Sequence, residues 1–169
     1  MKSLILGTFA GLCLFAQGPV LQAVLPQYES AKLNFSEAAE FMPESEYGYK
    51  LTPPQRAFGD WVEHTAGMNF RMCSGMKGEP APAPGLGDKS KEALLKGLKE
   101  SFDYCDAVWR TMTDELAVRE IQAGSRKTTP LSLMVAHVVQ LNEHYGNMVG
   151  YLRSKGIVPP TTARVQKKK

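Results

Sequence analysis

Four segments of the chain repeat apolar residues every three to four positions, which is the period of an amphipathic α-helix. Together they span most of the sequence between Val24 and Leu152. No segment shows the alternating pattern of a strand. The pattern therefore predicts an all-α fold, a four-helix bundle. The four stripes are Val24, Tyr28, Ala31, Phe35, Ala38 and Met42; Phe58, Trp61, Thr65, Met68 and Met72; Leu95, Leu98, Phe102, Cys105, Trp109 and Met112; and Met134, Val138, Leu141, Tyr145, Met148 and Leu152.

Residues that start or stop helices flank these stripes. Pro43 ends the first helix, and Asp88 or Ser90 can cap the start of the third. Gly156 and the prolines after it end the fourth. The second helix begins after Pro53-Pro54, a pair suited to a helix start.

The connections between the predicted helices differ in character. Residues 77–91 form a Pro/Gly-rich loop long enough to cross the end of a bundle, so the second and third helices need not be antiparallel. A short helix is predicted around Asp114–Arg119, and residues 123–130 are predicted as loop or a brief extended segment.

Composition indicates one folded domain. The chain has 169 residues, 43% of them hydrophobic and 22% charged, close to globular averages. The net charge is only +3, and four positive charges lie in the last six residues, so the body is near neutral and nucleic-acid binding is not expected. We predict a bundle over residues 24–160 and a disordered basic tail over residues 161–169.

The N-terminus has the features of a secretory signal. A positive Met1-Lys2 precedes the apolar run Leu4–Ala16, and cleavage after Ala16 or Ala23 would remove it. Residues 1–23 are therefore predicted as a signal peptide. The expected location is periplasmic or extracellular, with an uncleaved membrane anchor as the alternative.

Three cysteines are present. Cys13 lies in the apolar run, which leaves Cys73 and Cys105 in the mature chain. In an oxidising compartment these two could pair, and two buried free thiols are the alternative. Neither has a CxxC context or a histidine partner in sequence, so a nucleophilic role is not expected.

The three histidines, His64, His137 and His144, are the candidate metal ligands. Residues four apart share a helix face, so Gln140 rather than His137 has the spacing to join His144. His137 is seven residues away, about 10 Å along the axis. The alternative is that these histidines are hydrogen-bonded core residues.

Three stretches of the sequence, residues 42–79, 94–109 and 142–160, resemble the DinB-like (DinB/YfiT) superfamily, particularly its exported bacterial members. The resemblance implies an up-down-down-up bundle with residues 77–91 as the crossover. It also implies a divalent metal, Zn²⁺ or Ni²⁺, held by one histidine on the second helix and an H-x-x-x-H pair on the fourth. His64 and His144 match the first and last of these ligands.

The middle ligand position holds Gln140, where this sequence departs from the pattern. A neutral amide oxygen is a weaker ligand for Zn²⁺ or Ni²⁺ than an imidazole. Metal binding is therefore expected to be weak or absent, with His137 as a second-shell base.

The resemblance leaves the specific activity open between two classes. One is a metal-dependent thiol transferase or hydrolase acting on a small-molecule or thiol substrate. The other is a non-catalytic small-ligand-binding or scaffold protein, with a homodimer as the expected assembly. A ligand pocket would then be lined by Trp61, Met68, Tyr145 and Met148; plain core packing is the alternative for these four.

Overall fold

A computed structural model describes residues 18–82 and 87–167 of the chain. The predicted signal run Leu4–Ala16, with Cys13, and residues 83–86 of the crossover lie outside the described residues. The all-α prediction is confirmed: α1, α2, α3 and α5 are the four predicted bundle helices. The elements are α1 Pro19–Phe41, a 3₁₀ turn Glu44–Glu46, α2 Phe58–Lys77, α3 Lys91–Thr111, α4 Asp114–Val118, β1 Ile121–Ala123, β2 Arg126–Thr128, α5 Pro130–Ser154 and α6 Pro160–Gln166.

Contacts between α2 and α3 fix their relative direction. Asn69 Nδ2 donates to Ser101 Oγ, and four residues further along both helices a disulfide joins Cys73 to Cys105. The second contact lies four residues closer to the C-terminus than the first on both helices, so α2 and α3 run parallel.

Two further helix pairs, α2 with α5 and α1 with α3, run antiparallel. On α2 and α5, Thr65 contacts His144, whereas the later Cys73 contacts the earlier His137. On α1 and α3, Tyr28 bonds to Asp106, while the end of α1 receives a bond from Lys91 at the start of α3. The bundle is therefore up-down-down-up, as expected, with residues 77–91 as its crossover.

Two predicted helix ends are confirmed in detail. The Ser90 hydroxyl accepts a bond from the backbone N–H of Ala93 and caps α3. Gly156, at φ 72°, follows the end of α5 in the left-handed region that glycine adopts without strain.

The start of α1 lies before the predicted boundary at Val24. The backbone N–H groups of Val20 and Leu21 donate to the Asp114 carboxylate at 2.9 and 3.0 Å, which satisfies two unpaired donors of the first turn and favours the helix dipole. Leu21 is also buried, at 1% exposure. Residues 19–23 thus belong to the folded bundle.

The C-terminal segment differs from its prediction too. Instead of a disordered tail, residues 160–166 form α6. The reason is a specific partner: the Arg164 guanidinium on α6 contacts Glu37 and Asn34 on α1. Residues 123–130 fall within an antiparallel β1–β2 hairpin and the start of α5.

The core lies between the four long helices. Trp109, Tyr28, Phe35, Leu141 and Met148 each have at most 2% of their surface exposed. Burial of each such side chain contributes roughly 1.5–3 kcal/mol. Among the described residues, no helix combines the length and apolarity that crossing a bilayer requires.

Candidate metal and small-ligand site

His64 on α2 and His144 on α5 face each other near one end of the bundle. Their ring centroids are 5.0 Å apart. Two imidazoles that share one tetrahedral Zn²⁺ at the usual Zn–N distance have centroids about 5 Å apart. The separation of the two rings is thus compatible with two ligands to one ion.

Thr65 orients the His144 ring. Its Oγ1 lies 3.0 Å from His144 Nδ1, and both residues are buried. When Nδ1–H donates to this hydroxyl, Nε2 keeps its lone pair for an ion or a ligand.

An aromatic and cationic wall borders the two imidazoles. The Trp61 ring centroid is 5.2 Å from that of His144, and the Arg56 guanidinium lies 5.0 Å over the Trp61 ring. Tyr151 holds this wall in place, because its hydroxyl donates to the Arg56 carbonyl at 2.6 Å and accepts from Trp61 Nε1 at 3.4 Å.

The electrostatic environment keeps both imidazoles neutral. Burial, then His64, then Arg56 lower the pKa of His144 to about 4. Burial, then Arg56 and Arg71, lower the pKa of His64. Neither arginine forms an ion pair with a carboxylate among residues 18–82 and 87–167. The same positive field that disfavours a proton on these rings also disfavours a divalent cation between them.

Gln140 occupies the third position of the pattern, one turn before His144 on the same helix. It is half-buried. In the part of the chain that the structure describes, no third His, Cys, Asp or Glu joins His64 and His144 in a ligand group. Two imidazoles and a neutral amide do not match the donor set of a tightly held Zn²⁺ or Ni²⁺.

His137, expected as a second-shell base, lies elsewhere. It is fully buried, with Nε2 2.9 Å from Asn69 Oδ1 and Nδ1 3.9 Å from Cys73 Sγ. The hydrogen-bond partner of His144 is Thr65. His137 and His144 are two helical turns apart on α5, and the rise of the helix over these turns places His137 away from the His64 site.

The four predicted pocket residues separate into two groups. Met68 and Met148 are 3% and 0% exposed and belong to the core, and the hydroxyl of Tyr145, itself 8% exposed, bonds to Thr161 on α6. Trp61 alone borders the histidine pair. Described cavities of about 180, 240 and 550 Å³ are lined by other residues. Met68 and Met148 therefore belong to the core, and the partly exposed surface beside His64 and Trp61 is called the His64 cleft below.

The cysteines left open by sequence are joined in a disulfide, Cys73–Cys105, between α2 and α3. His137 from α5 lies against it. The ligand atoms of these three residues are within 4.8 Å of one another, a group that could hold a metal. Cys73 thus has the histidine neighbour that its sequence context lacks.

Sequence reasoning missed three residues that shape these sites. Thr65 was visible as a polar member of an apolar stripe, and Asn69 lies one turn after Thr65 on the same face of α2. Arg56 lies before α2, in a segment whose path no periodicity predicts. For Thr65 a buried hydroxyl needs a partner, which is a readable signal; for Arg56 there is none.

Comparison with known proteins agrees with this architecture. A sequence profile described as the DinB superfamily matches residues 27–148. A DinB-like protein from Bacillus cereus ATCC 10987 superposes with a TM-score of 0.68 at 14% identity, over 82% of this chain and 95% of that one. A DinB-like protein from Bacillus subtilis superposes with a TM-score of 0.65 at 20% identity, over 83% and 94%.

A third similar structure is a mycothiol-dependent maleylpyruvate isomerase, with a TM-score of 0.59 at 14% identity. The match covers 76% of this chain but 60% of the isomerase. At such identities the likeness establishes the fold alone. No protein of curated function matches the chain.

Proposed function

Because this chain belongs to the DinB superfamily, we propose that it acts as a small-molecule-binding member with a degenerate metal site. One observation carries the proposal. The His64 and His144 rings lie 5.0 Å apart, as for a shared ion, but Gln140 holds the third ligand position. The cleft keeps the shape of a metal site without its full donor set.

Ligand count sets the expected metal affinity. Structural zinc sites bind with roughly 10–16 kcal/mol over four ligands, or about 2.5–4 kcal/mol per ligand. Two imidazoles alone thus give roughly 5–8 kcal/mol, a dissociation constant of about 1 µM or weaker. The Arg56 and Arg71 charges weaken it further. Any divalent ion here is bound reversibly and is not a resident cofactor.

The charges of the cleft favour a ligand with an anionic group. Two neutral imidazoles supply hydrogen bonds, while the Arg56 guanidinium and, more distantly, Arg71 supply positive charge that no described carboxylate neutralises. The Arg56 guanidinium can form two parallel hydrogen bonds with a carboxylate, or a single ion pair with a thiolate. The half-buried Trp61 ring offers a flat apolar surface for the rest of the molecule.

Metal analysis of the full chain tests the first half of the proposal. After purification without chelators and mild dialysis, we expect less than stoichiometric transition metal. A stoichiometric metal that survives dialysis and is lost in His64→Ala would contradict the degenerate site.

Ligand titration tests the second half. Small carboxylates and thiols are added while the imidazole proton resonances of His64 and His144 are followed by NMR. We expect shifts that saturate and that Arg56→Gln weakens at least several-fold. Arg126→Gln, an exposed arginine on the hairpin, is the matched control and should leave them unchanged. Equal binding by both variants would contradict the anionic preference.

The second candidate is a metal-dependent thiol transferase or hydrolase. The ion-sharing spacing of His64 and His144 favours it, and the fold likeness to a mycothiol-dependent isomerase is consistent with it. His64 and His144 would hold the ion, and an ion in such a site lowers the pKa of a bound thiol or water. Activity on small thiol adducts that rises with added Zn²⁺ or Ni²⁺ and disappears in His144→Ala would favour this candidate over the first.

Export is proposed on two grounds. The apolar run Leu4–Ala16 follows a positive N-terminus, and the buried Cys73–Cys105 disulfide is typical of an oxidising compartment. Fractionation of bacterial cells that express the protein tests export. We expect the protein in the periplasmic or extracellular fraction, and its presence in the membrane fraction would favour an uncleaved anchor. We also propose that the chain forms a homodimer, which sedimentation measurements can test. Because the body of the protein is near neutral, we expect no binding to nucleic acid in a gel-shift assay.

A further inference from the structure

A second cluster of ligand-type groups lies inside the bundle, separate from the His64 cleft. It consists of Cys73 on α2, Cys105 on α3 and His137 on α5, each 0% exposed. Their candidate ligand atoms all lie within 4.8 Å of one another. Three of the four long helices thus converge on one point.

The hydrogen bonds around His137 determine which ring nitrogen faces the sulfurs. Ser101 Oγ donates to the Leu98 carbonyl at 2.7 Å, so it accepts from Asn69 Nδ2 at 3.0 Å. This leaves Asn69 Oδ1 as the acceptor at 2.9 Å from His137 Nε2. Nε2 therefore carries the proton, and the Nδ1 lone pair points to Cys73 Sγ at 3.9 Å.

This arrangement is that of a prepared metal ligand. A ligating histidine commonly donates its other N–H to an oxygen that fixes the ring and its tautomer, as Asn69 does here. Burial lowers the pKa of His137 to about 4, so the ring is neutral and its lone pair available at neutral pH.

We propose that reduction of the Cys73–Cys105 disulfide by a dithiol opens a buried Cys₂His site for a thiophilic ion, Zn²⁺. The disulfide takes up two electrons and two protons, and the dithiol is oxidised to its cyclic disulfide. The ion then displaces both thiol protons into solvent, while His137 Nδ1 donates its lone pair without losing a proton. In the oxidised state the sulfurs are bonded to each other and the site is closed.

The distance from Cys73 to His137 and the charge balance suit this ion. At Zn–S of about 2.3 Å and Zn–N of about 2.0–2.1 Å, a tetrahedral site places sulfur and nitrogen about 3.6 Å apart, close to the 3.9 Å between Cys73 Sγ and His137 Nδ1. Two thiolates and one divalent ion sum to zero charge, which a fully buried site requires. Cu⁺ would leave a net negative charge there.

The site is tested on the full chain with Cys13→Ser, so that only Cys73 and Cys105 can become thiols, and with His64→Ala to remove the other imidazole pair. Zn²⁺ affinity is measured by chelator competition before and after reduction with a phosphine. We expect binding at least 100-fold tighter after reduction, one ion per chain, with two protons released per ion. Co²⁺ in place of Zn²⁺ should give the thiolate charge-transfer absorption.

Variants separate this site from general metal binding. His137→Ala should weaken Zn²⁺ binding at least tenfold, and Asn69→Ser by about ten- to a hundredfold, the usual cost of a lost outer partner. Asn142→Ser, at an exposed asparagine of α5, is the matched control and should change nothing.

Thermal unfolding gives a second readout. The reduced chain should melt at a higher temperature with Zn²⁺ than without it, or regain helical circular dichroism on Zn²⁺ addition if reduction alone unfolds it. Equal Zn²⁺ affinity in the oxidised and reduced chains, full binding by His137→Ala, or no effect of Zn²⁺ on the reduced chain's folding would each overturn the proposal.

Discussion

Replacing Gln140 by histidine should restore tight metal binding at the His64 cleft. The substitution places an imidazole one turn before His144, on the helix face where a third ligand belongs. Gln140 is half-buried, so a side chain of similar size can replace it without disturbing the core. The variant tests whether the missing ligand alone explains weak binding.

The magnitude follows from the ligand count. One added ligand is worth roughly 2.5–4 kcal/mol when the affinity of structural zinc sites is divided over four ligands, or a factor of about 70–900 in the dissociation constant. The uncompensated Arg56 and Arg71 charges oppose the ion, so we expect the lower end, about 100-fold.

The assay is Zn²⁺ competition with a chromogenic chelator, on oxidised protein so that Cys73 and Cys105 stay paired. Gln140→Ala controls for loss of the amide and should bind no more tightly than the unmodified chain. Combining Gln140→His with His64→Ala should abolish the gain. A gain below about threefold, or one that survives His64→Ala, would refute the idea that these three positions converge on one ion.

Four further predictions concern stability and processing. Reduction of the disulfide, which joins residues 32 apart, should lower the free energy of unfolding by about 4 kcal/mol, measured by denaturant titration without added metal. Because burial lowers the pKa of His137 from 6.5 to about 4, the unfolded chain binds this proton first, so the contribution of His137 to stability is fully present above pH 6.5 and falls by up to roughly 3 kcal/mol as pH drops to 4. The pKa of His144 is lowered in the same way, so His137→Gln should reduce the slope of stability against pH without abolishing it, and an unchanged slope would contradict the assignment. Asp114→Ala removes the acceptor for the first turn of α1 and should cost about 1 kcal/mol, whereas no loss would mean that the cap contributes nothing. If a signal peptidase acts, mass spectrometry should find cleavage after Ala16 and not after Ala23, because the latter removes the buried Leu21 from α1.

The fold was readable from sequence because its signals are local. The period of each stripe predicts a helix and its buried face, and Ser90 and Gly156 mark ends that the structure places at the same residues. The path of α6 was not readable, since it depends on Arg164 meeting Glu37 across 127 positions of sequence. The start of α1 depends likewise on the distant Asp114.

The site was partly readable for a related reason. Helical spacing and the family pattern selected His64 and His144, which the structure brings together. Helical spacing also predicted that His137 does not belong to that pair. The position of its ring could not be predicted, because it depends on the hydrogen bond between Asn69 and Ser101 across two helices. Cysteine pairing stayed open because sequence separation carries no information on the distance between α2 and α3.

The zinc dissociation constant of the unmodified, oxidised full chain tests the central claim most directly. With two imidazoles and an amide at the cleft, it should be about 1 µM or weaker, and His64→Ala should remove what binding remains. A nanomolar constant that His64→Ala destroys would show that Gln140 serves as a full ligand and would contradict a degenerate metal site.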